Sequence, residues 1–181
     1  TDRLGQYLPL NTSARALQDP SSTPVRENRD GVVQVEIICY CDPKLYAKYG
    51  KGVNALPASA YEDLGAFLAF MNKEWGVPLV RAPQWSTYPP PNSIRMSSTT
   101  YNAFKGVLGH QHASGNTHGD PGMTNAQVDR ILAVAKRIIT PVAPPASSGG
   151  TMSLTDADKA WIESRMQAYA SFLVLNREQT T

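Results

Sequence analysis

All three histidines of the 181-residue chain fall close together, at His110, His112 and His118, and Asp120 follows two places after the last. They share the stretch Gly109 to Gly122 (GHQHASGNTHGDPG), in which Gly115, Gly119, Asn116 and Pro121 add further turn-forming residues. Such a loop can fold back so that His110 and Asp120 aim at one point. A neutral imidazole nitrogen and a carboxylate oxygen are both ordinary ligands of Zn²⁺. Three protein ligands would leave the fourth position to water, whose pKa the metal lowers towards about 7. The loop offers no apolar shell, so none of the three histidines is expected in the core. Spacing favours a metal site over a polar loop without metal and leaves open which groups bind. His110, His112 and His118 together are one stereochemically possible set.

Several elements must position this loop. LGQYLPL, from Leu4 to Leu10, reads as a short strand ended by Pro9. Val32 to Tyr40 (VVQVEIICY) is β-branched and nearly continuous in apolar character, which predicts a buried strand. Glu36 interrupts it, and a carboxylate in such a strand needs a partner or a task. A loop rich in Lys, Tyr and Gly follows. Ala58 to Gly76 then reads as a helix, with Tyr61, Leu64, Leu68, Met71 and Trp75 on one stripe. Val77 to Val80 suits a brief strand, Arg81 to Arg95 a Pro-rich loop holding Trp85 and Tyr88, and Ser97 to Lys105 a short capped helix. Asn125 to Ile139 is a second amphipathic helix, capped by Thr124 or Asn125, with Val128, Ile131, Leu132, Ala135 and Ile138 on one face. The order of elements suggests an α/β domain over residues 1–139, with helices covering a mixed sheet. Residues 140–151 (TPVAPPASSGGT, with its first Thr at 140) form a linker, stiff and then flexible. Residues 152–181 carry an amphipathic helix from Leu154 to Glu178, whose stripe suits docking or self-association.

Composition narrows the classes. A net charge of +2 without a run of like charges speaks against nucleic-acid binding. No apolar run approaches the roughly 18 residues that span a membrane, so no membrane insertion is expected. Cys39 and Cys41 flank Tyr40; alternate strand residues face opposite ways, so the pair suits neither a disulfide nor a zinc knuckle.

The loop GHQHASGNTHGDPG resembles the metal motif of the type 2 N-acetylmuramoyl-L-alanine amidases, relatives of the peptidoglycan recognition proteins. It is especially similar to amidase domains of endolysins from phages infecting actinobacteria. RLGQYLPLNTSARAL, NRDGVVQVEIICY and AYEDLGAFLAFMNKEWGVPL resemble the family's strands and covering helix, so the likeness spans about residues 3–139. The resemblance implies a mixed, mostly parallel sheet flanked by helices, with zinc as the cofactor in a groove that accepts glycan and stem peptide. It makes His110 and Asp120 metal ligands, His118 the catalytic group that stabilises the oxyanion, and Glu36 the general base. His112, Trp85 and Tyr88 receive no role. The implied reaction is hydrolysis of the amide between N-acetylmuramic acid and L-alanine in peptidoglycan. The implied place is the host cell wall, reached by a phage lysin from the cytoplasm or by a secreted enzyme.

The family uses a further zinc-binding histidine ahead of the region matched here, and no histidine precedes His110. The expectation is therefore that this chain is a piece of an amidase and holds half of its site. Two alternatives stand beside that reading: a peptidoglycan-binding module that does not cut, and a structural or assembly protein of a virion whose tail helix drives self-association.

Overall fold

A computed structural model describes residues 32–115 and 118–140. All of them belong to the first of two compact units, which ends at Pro141. The expected Leu4–Leu10 strand, the linker beyond Thr140 and the Leu154–Glu178 helix lie outside the described residues.

The segment from Pro43 to Tyr49 forms helix α1, where a loop was expected. Its start follows from two adjacent residues: the Asp42 carboxylate accepts the Lys44 N–H at 2.9 Å, and Pro43, with no N–H to satisfy, takes the first turn. Helix α2 runs Ala58–Trp75 and stops at Gly76 in the left-handed conformation. Helix α3, Ser98–Ala103, is capped by the Ser97 hydroxyl, which accepts from the Thr100 N–H at 3.1 Å. Helix α4 is Asn125–Ile139, with Thr124 and Gln127 in a reciprocal capping box.

The core is the contact of α2 with α4. From α4 come Val128, Ile131, Leu132 and Ala135, all buried, while Ile138 at the helix end stays exposed. The stripe of α2 departs from its large apolar residues. Tyr61, Gly65, Ala69 and Met71 are buried, Leu64 and Leu68 only partly so, and Trp75 is exposed, packing edge-on against Phe70. The cause is size: Gly65 lets the α4 backbone come close, and a Cβ there would collide with the Val134 side chain and stand 3.0 Å from the Ile131 carbonyl oxygen. Gln127 ties the same layer together by donating to the Val53 carbonyl at 2.8 Å and to the Tyr61 hydroxyl at 3.3 Å.

Among the described residues there is no strand, so the expected Val32–Tyr40 and Val77–Val80 strands are corrected. A strand exists only where its backbone groups find a ladder. Among the described residues Tyr40 bridges to the segment around Gly52 through bonds with Lys51 and Val53, and the Cys39 N–H turns back to the Ile37 carbonyl. Ile38, Val32 and Val35 consequently point outward, Ile38 at 83% exposure. A second single bridge joins Arg81 to Val107, and both bridges are parallel. No helix among the described residues is long and apolar enough to cross a membrane.

Candidate functional site

The loop from Gly109 to Gly122 closes on itself. The Gln111 N–H donates to the Asp120 carbonyl at 3.1 Å, and His110 to His112 make one 3₁₀ turn. Gly109 is required by space, since a Cβ there would lie 2.7 Å from Pro121 Cδ and 3.0 Å from Trp85 Cζ3. This closure brings His110 Nδ1 to 2.7 Å from Asp120 Oδ2, with both side chains part-exposed. Burial pushes the Asp120 carboxyl up, but the hydrogen bond and charge of His110, with a smaller contribution from His118, more than offset it. The carboxyl is held below its ordinary range. His118 is exposed, on the far arm of the loop.

His112 overturns the expectation that the loop's histidines avoid the core. Its side chain is fully buried, and its ring meets the Trp85 indole edge-on at 4.7 Å. Nε2 lies 2.8 Å from the Gln84 carbonyl, so it carries the proton, and Nδ1 then accepts the Gly109 N–H at 2.9 Å. Burial pushes its pKa down, hydrogen bonds with Gln84 and Gly109 oppose that, and the Arg95 charge lowers it again. Both ring nitrogens are spent, which removes His112 from any ligand set. The apolar shell that the loop lacks is supplied by Trp85, itself 6% exposed. Gln111, also fully buried, accepts the Ser86 N–H through Oε1.

Arg95 was not foreseen as a site residue. Its guanidinium donates to the Ala113 carbonyl at 3.2 Å and to the His118 carbonyl at 3.0 Å, clamping the two arms of the loop. No sequence signal marked it, because both partners are backbone. The floor is fixed from α4 as well: the Asn125 carboxamide oxygen accepts the Trp85 N–H at 2.8 Å, and Arg81 makes a two-point ion pair with Asp129.

Glu36 is exposed in the extended segment before α1, and no described interaction links it to the His110–Asp120 pair. Cys39 and Cys41 are free thiols, each partly buried. Burial raises the pKa of Cys41 and the charge of Asp120 raises it further, which places this thiol beside the loop. A cleft of about 270 Å³ opens there, lined by Cys41, Tyr46, Tyr61, Thr87, Gly122 and Gln127 among others.

The donor chemistry fits a zinc ion in part. An imidazole nitrogen and a carboxylate oxygen converge, and spreading them from 2.7 Å to the separation of about 3.3 Å that two tetrahedral zinc ligands take is a small adjustment. Among the described residues no third His, Cys, Asp or Glu joins them in a group able to hold a metal. Compared with family models, with curated proteins and with solved structures, the chain matches none.

Proposed function

We propose that the chain belongs to a zinc-dependent hydrolase that cuts the amide between N-acetylmuramic acid and L-alanine in peptidoglycan. The observation that carries this reading is the approach of His110 Nδ1 and Asp120 Oδ2 to 2.7 Å across a closed Gly-rich loop, with His118 close enough to lower the Asp120 carboxyl. The resemblance of the loop's sequence to the type 2 amidases supplies the substrate. The same reading carries a mostly parallel, helix-flanked sheet, of which the described residues show two isolated parallel bridges and no strand.

In this proposal His110 and Asp120 would hold the zinc, which when bound would supply Lewis acidity to the hydrolysis. By the resemblance, Glu36, exposed in the segment before α1, would be the general base. His118 donates a hydrogen bond to the oxygen on which charge develops, and Arg95 holds the His118 backbone in register. A second reading, a wall-binding module that does not cut, draws support from the two-donor count among the described residues.

Calorimetric titration with zinc, paired with release of stem peptide from purified peptidoglycan, separates the two. Zinc should bind once per chain, weakly for a site with two described protein donors, and be lost in His110→Ala and Asp120→Asn. His118→Ala should keep zinc while release drops by about 10²–10³-fold, the usual loss on removing an oxyanion donor. A chain that sediments with cell walls yet binds no zinc and releases nothing sides with the binding module.

A further inference from the structure

Helix α1 has two unlike sides. Pro43 and Tyr46 line the cleft beside Gly122, yet no side chain of the helix is buried. Around it Leu45, Tyr49 and Tyr40 stand 41%, 55% and 37% exposed. Tyr40 is fixed there by backbone bonds with Lys51 and Val53, and its ring lies 5.5 Å from that of Tyr49 at a tilt of 31°. The Lys48 ammonium sits 4.8 Å from the centre of the Tyr49 ring. Lys44 is one turn from Lys48, and Lys51 follows directly after the helix, both exposed. Asp42 spends a carboxylate oxygen capping the helix, and no described carboxylate pairs with any of these three lysines.

The fold gains little burial from two paired tyrosine rings left in water, and Lys51 adds a backbone cost, since it holds φ at +56° without being a glycine. Apolar ring surface interleaved with cations suits a ligand that has both C–H faces and negative charge. We infer that the Tyr40–Tyr49 ledge with Lys44, Lys48 and Lys51 is a binding platform for an anionic polysaccharide, one carrying carboxylates along a chain of pyranose rings. A pyranose packs its C–H groups on ring surface while its carboxylates meet the ammonium groups. An apolar protein partner would bury three unpaired charges at a heavy desolvation cost. A nucleic-acid strand stacks each base over a whole flat ring face, whereas a pyranose needs only part of a ring, and Tyr49 keeps 55% exposure beside Tyr40 and Lys48. The platform needs neither zinc nor hydrolysis.

The test is calorimetric titration of the full chain with four probes: hyaluronan oligosaccharides, neutral dextran, poly-L-glutamate and oligothymidylate. Hyaluronan should bind, weakening steeply with added salt because the contacts are exposed, and dextran should bind far more weakly. Tyr49→Ala and the double variant Lys48→Ala/Lys51→Ala should each lose about tenfold in affinity, of the order expected for one stacked ring or a pair of exposed charges, while circular dichroism and the zinc isotherm stay unchanged. Equal binding of poly-L-glutamate would reduce the platform to charge alone and overturn the proposal. So would tighter binding of oligothymidylate, an absence of hyaluronan binding, or full affinity in both folded variants.

Discussion

Two histidines two residues apart meet opposite fates in this loop, and the difference lies in what surrounds each ring. His110 reaches a part-exposed carboxylate, while His112 turns inward against Trp85 with both nitrogens satisfied. Burial lowers the His112 pKa below the ordinary value of about 6.5, which gives a pH signature with a definite sign. Above about pH 6.5 the ring is neutral folded or unfolded, and its contribution to stability is fully present. As pH falls below that, the unfolded chain takes the proton first, and stability is lost until the folded ring protonates too. Chemical denaturation of the wild type between pH 7.5 and 5 should therefore show declining stability. His112→Gln should start about 1–3 kcal/mol less stable, the cost of an unpaired Gln84 carbonyl and poorer packing, and decline less steeply. Parallel curves for the two proteins would remove His112 as a source of the slope. Residue type and spacing showed that the loop could fold His110 towards Asp120, and they left open which of its groups would pair. The burial of His112 was not legible, because the shell that covers it comes from a tryptophan far away in the chain.

At the scale of elements, periodicity located α2 and α4 well, since a helix carries its hydrogen bonds within itself and needs only a face to bury. It failed for Val32–Tyr40, whose strand character depends on partners that no local pattern contains, and it overlooked α1, whose signal was the Asp42–Pro43 start rather than an apolar stripe. The α2 face shows where composition misleads. Leu64, Leu68 and Trp75 are the apolar bulk, but at Gly65 the helix lies too near α4 to admit a Cβ. Adding one methyl there meets the Val134 side chain and the Ile131 carbonyl oxygen, which is backbone and cannot rotate away. Gly65→Ala gains helix propensity of about 0.8–1 kcal/mol, against overpacking of about 1–3 kcal/mol. The net expectation is a loss, read as a lower urea midpoint with an unchanged slope. Gly65→Ala with Val134→Ala should recover part of it, and a single variant as stable as wild type would show that the helices separate freely.

For the molecule as a whole, the loop is the outer skin of the core rather than an appendage. Trp85 and Met123 are core residues, His112 and Gln111 are fully buried, and Asn125 and Asp129 of α4 hold the segment beneath. The loop therefore cannot open without exposing what α2 and α4 bury. If His110 and Asp120 bind zinc in the folded chain alone, free zinc a hundredfold above its Kd should add about 2.7 kcal/mol to the stability of the whole unit. For a domain of this size that raises the thermal midpoint by roughly 5–10 °C. The shift should follow the logarithm of zinc concentration and vanish in Asp120→Asn, whose amide is a far weaker ligand. The same titration in Cys41→Ser tells whether the neighbouring thiol takes part: an unchanged shift leaves the ion to the histidine and the aspartate. Zinc that slows hydrogen exchange in the loop without moving the midpoint would show that the loop opens on its own, and the link between site and core would then be withdrawn.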